Sequence, residues 1–169
     1  MSDEKEGYIM FKIGDKIAYP MHGAGIIDGV EERNILGENH QYYVLRLALG
    51  NVKVMVPVSN ISTIGVRYIV SEKEADDVIT SFVEYQEDEE EGNWNKRYRE
   101  NVEILKEGNL MEVARIVKLL ILKDRRKSLS NAERKMLTNA KSSLFSELGL
   151  SKDMDYKSVE EILMEKITG

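Results

Sequence analysis

The sequence predicts an α+β protein of two domains, an N-terminal small β-barrel of the SH3 or Tudor type and a C-terminal all-α compact bundle of about five helices. Three observations carry this. Residues 10–69 run in short apolar–polar alternations broken by Gly, Asn and Pro, the period of half-buried strands. From residue 70 the apolar residues switch to i, i+3, i+4, i+7 spacing, the stripe of amphipathic helices. Two capping boxes, Ser71-Glu72-Lys73-Glu74 and Ser130-Asn131-Ala132-Glu133, mark helix starts in that second half. The expected organisation is a frayed tail at 1–9, a β domain at 10–69 and a helical domain at 70–169 with an acidic loop at 86–92.

In the β domain, residues 11–20 alternate and stop at Pro20, as a first strand. Met21-His22-Gly23-Ala24-Gly25 is a turn, since paired Gly permits positive φ and close backbone approach. Ile26 to Ile35 is a second strand, and Leu36-Gly37-Glu38-Asn39 a hairpin turn. Gln41 to Leu49 is rich in β-prone side chains. Gly50-Asn51 turns the chain into Val52-Lys53-Val54-Met55-Val56-Pro57-Val58, where Pro57 suits a strand end or an edge. Ile61 to Tyr68 is a last extended piece. Barrels of this kind bind partners in grooves or by adding a strand at an open edge.

The helical domain opens at Ser71 with a short helix whose inner face is Ala75, Val78, Ile79 and Phe82. Five adjacent acids, Glu87 to Glu91, then repel one another and form a loop. Trp94 begins a helix ended by Gly108, with Tyr98, Val102 and Leu105 inward. Asn109 caps a third helix with Leu110, Val113, Ala114, Val117, Leu120 and Ile121 inward. The fourth helix starts at Ser130 and ends at Gly149, burying Met136, Leu137, Ala140, Leu144 and Leu148. The last runs from Asp155 to Ile167.

Composition limits the function. The chain has no Cys, which excludes a disulfide framework and thiolate chemistry and agrees with a cytoplasmic protein. No run of 18 apolar residues spans a membrane, and the acidic first ten residues are no signal peptide. The net charge of −6 argues against a generic nucleic-acid binder, but the charges are segregated. Residues 70–93 hold ten acids and one base, whereas residues 94–142 hold thirteen bases and six acids. At cellular salt the acids are screened beyond roughly 8–10 Å, so a basic module can still engage phosphates.

The candidate site is Asn93-Trp94-Asn95-Lys96-Arg97-Tyr98-Arg99, which holds the only Trp. An aromatic ring at the start of a basic helix is either a core anchor or a wedge held against nucleic acid. Lys123-Asp124-Arg125-Arg126-Lys127 adds a basic cluster, partly explained by the helix dipole at a C-terminus. Arg134 and Lys141 share one outer helix face. No catalytic or metal site is expected: His22 lies in a turn without a partner, His40 in a polar loop, and neither a phosphate-binding Gly-rich loop nor a paired-His motif occurs. No cofactor is implied, and the chain is read as a non-enzyme.

The order and spacing of several motifs go further. Phe11-Lys12-Ile13-Gly14-Asp15, Tyr19-Pro20-Met21-His22-Gly23-Ala24-Gly25, Val56-Pro57 and Gly65-Val66-Arg67 resemble the RNA-polymerase-interacting domain of the bacterial CarD/CdnL transcription regulators. Asn93 to Asn101 and Leu129 to Leu137 resemble two segments of that family's helical DNA-binding domain. The β domain also occurs in the transcription-repair coupling factor, but the sequence shows no P-loop for a motor. The resemblance implies a regulator of transcription initiation that docks on the β subunit of RNA polymerase by strand addition. It implies contact with promoter DNA at the upstream edge of the bubble, with Trp94 wedged in the minor groove and little sequence specificity. Arg33 matches a polymerase-contact position, and Val52, Lys53, Val54 and Met55 match the polymerase-binding strand. Met55 stands where some relatives carry a base. Lys96, Arg97, Arg99, Lys123 and Arg134 fall at or beside DNA-contact positions, with Arg126 and Lys141 as further basic candidates. The expected form is a monomer. The competing expectation is a protein-interaction adaptor whose helical domain binds a protein rather than DNA.

Overall fold

The structure, a computed structural model, describes residues 11–86 and 94–167; the tail at 1–9 and the acidic run at 87–91 lie outside them. Five strands come first: β1 (Lys16–Tyr19), β2 (Gly23–Ile35), β3 (Glu38–Leu47), β4 (Lys53–Pro57) and β5 (Arg67–Tyr68). Five helices follow: α1 (Glu72–Glu84), α2 (Trp94–Glu107), α3 (Leu110–Arg126), α4 (Asn131–Lys152) and α5 (Tyr156–Ile167).

The strands form one antiparallel sheet in the order β4-β3-β2-β1-β5. The expected barrel does not close. Most of Ile61 to Tyr68 is a turn through Gly65 (φ +80), and only Arg67 and Tyr68 pair, with Ala18 and Ile17 of β1. A two-residue edge strand is too short to reach round to β4, so both edges stay open. One face of the sheet buries Phe11, Ile17, Ile27, Tyr43, Leu45 and Val56 together with Ile61 and Val66. Beyond the last pairing of β4, Tyr42 with Pro57, β2 and β3 continue as a two-stranded ribbon to a turn at Leu36 (φ +53) and Gly37 (φ +84). Two consecutive positive-φ residues match the twist of the flanking strands.

Gly25 has a packing reason. A Cβ there would lie 2.3 Å from the carbonyl oxygen of Arg46 on β3, so only Gly lets the two backbones approach. On the opposite face of the sheet, small residues admit α4. Ala24 donates its N–H to Ser146 Oγ at 2.9 Å, and a Cβ on Gly23 would meet that same oxygen at 3.2 Å.

The helical core is built from Val78, Phe82, Val117, Leu144, Phe145 and Leu163 with their neighbours. Both capping boxes form: Ser71 Oγ accepts from Glu74 N at 3.1 Å, and Ser130 Oγ from Glu133 N at 3.2 Å. Asn109 caps α3 by accepting from Glu112 N at 3.3 Å. Two readings are corrected. Helix α4 does not stop at Gly149 but runs to Lys152, where Asp153 (φ +56) ends it. The glycine is there because the Met154 carbonyl passes 2.7 Å from where its Cβ would sit. Tyr98 does not face the core: it is 37% exposed, and α2 is held by buried Leu105 with Val102 and Ile104 half-buried.

Candidate functional site

The first half of the site is the β4 edge. Val52 O accepts from Leu47 N and Val58 N donates to Gln41 O, at 2.9 and 3.1 Å. Antiparallel pairs alternate between bonded and unbonded, so Val54 and Val56 use their backbone groups on β3. Those of Lys53 and Met55 point away from the sheet, and Pro57 has no N–H to offer. Among the described residues no strand covers this edge. Val52 is 55% exposed, and Val54 and Met55 are half-buried. Lys53 Nζ lies 3.7 Å from Asp28. Arg33 lies on the protruding ribbon opposite His40, its guanidinium donating to Glu31 at 3.2 Å. The tip beside it carries fully exposed Leu36.

The second half is α2. Trp94 is its first residue; the Trp94 side chain lies outside the described set. Lys96 and Arg99 are exposed and Arg97 half-buried on the part of α2 farthest from its anchor Leu105, and Lys96 sits 4.0 Å from Glu100. Arg126 is exposed at the end of α3. Arg134, in the first turn of α4, donates to Leu129 O at 3.0 Å and Ser128 Oγ at 3.3 Å. These two residues flank the α3–α4 joint.

Two of the predicted DNA-contact residues are paired with acids of neighbouring elements. Lys123 is only 8% exposed, and its Nζ is paired with Glu133. The reason is phase: Lys123 stands three residues after Leu120 and seven after Ile116, on the inward stripe. Burial alone would raise the Glu133 carboxyl, but the bonds from Lys123 and from Ser130 outweigh it and hold the group below the usual range. Lys141 lies 3.5 Å from Glu160 of α5, its side chain 25% exposed. Both lysines tie helices together.

Sequence reasoning missed a clasp between the sheet and the helices. Arg67 donates both terminal nitrogens to Glu147, at 2.6 and 2.9 Å, and one also to Gly108 O at 2.7 Å. Glu147 is 3% exposed at its side chain and also accepts from Val70 N at 2.8 Å. Ser151 Oγ donates to Val70 O at 2.9 Å. The signal was an acid three residues after Leu144 and seven after Ala140, on the inward face of α4, where a buried charge requires a partner. A second internal cation is Lys118, which donates to Val83 O at 2.7 Å at the end of α1. Burial lowers its pKa.

An open-edged antiparallel sheet joined to a five-helix bundle, with a basic helix start on the bundle, defines a two-module architecture. The chain belongs to the CarD family: its residues 77–164 match the family described as "CarD, C-terminal domain", and residues 11–70 match "CarD-like/TRCF RID domain". It is similar to YdeB of Bacillus subtilis (strain 168), named as a candidate transcription factor, with 38% identity over 151 residues, 89% of this chain and 98% of that protein. No helix among the described residues is long and apolar enough to cross a membrane.

Proposed function

We propose that the protein regulates transcription initiation by holding RNA polymerase with its sheet and promoter DNA with its helices. Family membership and the name of its relative support the regulatory role. The observation that carries the two-handed reading is the open β4 edge in one molecule with the outlying basic start of α2. A strand of the polymerase β subunit adds to β4, bonding the outward groups of Lys53 and Met55 and stopping at Pro57. Arg33 supplies a charged contact from the ribbon. Trp94 then wedges into the minor groove at the upstream edge of the open region, with Lys96, Arg97, Arg99, Arg126 and Arg134 against phosphates.

The magnitudes agree with such a role. A stacked or wedged aromatic is worth about 1–3 kcal/mol, roughly a 5- to 150-fold change in an equilibrium. That alters the lifetime of an open complex but does not hold DNA alone. Docking on polymerase supplies the rest as effective concentration. Phosphate contacts plus a wedge carry little sequence information.

The test is open-complex lifetime on a promoter with the cognate polymerase, using the wild-type protein and Trp94→Ala. The expected result is a longer lifetime with wild type, lost in Trp94→Ala while polymerase binding is kept. If Trp94→Ala melts the helical module, Trp94 is core and the wedge is wrong. If DNA is not retained, association is insensitive to salt and polymerase does not bind, the protein is an adaptor for another protein instead.

A further inference from the structure

We propose that Arg67 is a positioning residue that fixes the direction in which α2 leaves the docked sheet. The inference rests on the two-handed reading above and concerns what makes the two hands act together. Arg67 belongs to β5, the edge of the sheet farthest from β4. Its guanidinium reaches two points of the helical module, the Glu147 carboxylate on α4 and the carbonyl of Gly108. Gly108 is the residue on which α2 ends (φ +76), and so the pivot of that helix. Pro20 of the β1–β2 turn closes the pivot from the other side: a Cβ on Gly108 would lie 3.0 Å from Pro20 Cγ, and one on Gly65 3.4 Å from it. The seam between these groups retains a cavity of only about 20 Å³, room for about one water. Neither Arg67 nor Glu147 lies on the β4 edge or on the outlying end of α2, so the clasp acts through what it holds.

The lever explains why direction matters. A helix of 14 residues is about 21 Å long. A swing of about 10° at the Gly108 pivot therefore moves its far end by roughly 3.7 Å, more than the ~3.4 Å between successive bases. A wedge at that end keeps its base step only while the pivot is held to a few degrees. Without the clasp, docking on polymerase still occurs, but the wedge no longer meets a fixed step.

The chain has no Cys, so two nitroxide labels can be placed cleanly, at Glu38→Cys on the ribbon and Asn95→Cys, exposed near the start of α2. Pulsed electron-resonance distances are measured for this pair with Arg67 intact and with Arg67→Met. Alongside, unlabelled wild type and Arg67→Met are compared for polymerase affinity and open-complex lifetime. The expected result is one narrow distance with Arg67 and a distribution broadened by several ångströms with Arg67→Met. Polymerase affinity should stay within about twofold, and the gain in lifetime, about 5- to 150-fold for a working wedge, should be lost. Thermal stability falls in either case, because Glu147 loses its buried partner; a merely structural role would lower polymerase affinity together with lifetime. If Arg67→Met does not fold, Arg67→Lys replaces it, since one ammonium cannot bridge Glu147 bidentately and Gly108 O at once. A distance that stays narrow, or a lifetime gain that survives a broadened distance, overturns the proposal. If wild type itself does not lengthen the lifetime, the functional reading fails, and the distances alone then decide whether the clasp sets the geometry.

Discussion

Replacing Lys123 separates a structural cation from a DNA contact. In Lys123→Met the stem volume is largely kept, but the charge that pairs with Glu133 is gone. Glu133 is 13% exposed at its side chain and keeps its bond from Ser130 N at 3.0 Å. Breaking a buried pair by removing one partner costs 3–5 kcal/mol when the remaining charge is fully dry. With about an eighth of this carboxylate still wetted, about 3 kcal/mol is expected. For a chain of this size, 1 kcal/mol moves Tm by about 2–4 °C, so Lys123→Met should melt roughly 6–12 °C lower.

Thermal melting by circular dichroism gives the stability, and salt-dependent DNA binding well below Tm gives the contact. A phosphate contact contributes about 0.9 to the slope of log affinity against log salt, and Lys123→Met should leave that slope unchanged. The double variant Lys123→Met/Glu133→Gln should recover part of the stability, because the orphaned charge is removed while the capping geometry is kept. A Tm shift under about 2 °C together with a slope reduced by about one would refute the structural assignment of Lys123.

Other consequences follow from the same geometry. Gly25→Ala should unfold or strongly destabilise the sheet, by about 3 kcal/mol or more, since its Cβ meets backbone rather than a flexible side chain; the midpoint of urea unfolding reads this. In acid, Glu133 is held low against its burial by Lys123 and Ser130, Glu74 by the Ser71 N–H and hydroxyl, and Asp155 by the Ser158 N–H and hydroxyl. Folded pKa values below the unfolded ones give stability that is present above about pH 4.5 and lost as pH falls through the folded values. Melting should thus be flat from pH 7 to 5 and fall below 4, less steeply in Glu133→Gln. With Lys123 buried against Glu133 and Lys141 half-buried against Glu160, five basic candidates remain, which predicts a salt slope near −4.5 for DNA binding; a slope near zero would remove the phosphate contacts from the reading.

Local rules were legible in the sequence where one residue type does one thing. Ser71 and Ser130 announced their helices because a hydroxyl followed three residues on by Glu closes a reciprocal pair of bonds. The β2–β3 hairpin was legible in Leu36-Gly37, whose second residue takes positive φ without cost. Long-range requirements were not. Gly149 looks like a helix stop, and only the passage of the Met154 carbonyl reveals a close contact instead. The barrel stays open because most of Ile61 to Tyr68 is a turn and only Arg67 and Tyr68 pair, a limit that the residue types of that stretch do not announce. Lys123 was named from a basic cluster and from a position resembling the family's DNA contacts, whereas its phase on α3, three residues after Leu120, puts it among the buried residues.

The inward turning of cations bears on how the protein would work. Three of the bases in the helical module, Lys118, Lys123 and Lys141, are bound to Val83 O, Glu133 and Glu160. They hold α1 to α3, α3 to the start of α4, and α4 to α5. Charge that joins helices would not add to DNA affinity, so on the proposed reading the module trades binding strength for shape. A weak DNA hand is useful only if it is delivered in a fixed place. The frame that delivers it is the set of contacts that sequence periodicity could not show: Gly23 and Ala24 against α4, Pro20 against Gly108, and Arg67 across to Glu147. On this view the stiffness of the seam and the weakness of each contact belong to one design, in which polymerase sets where the protein sits and the seam sets where α2 points.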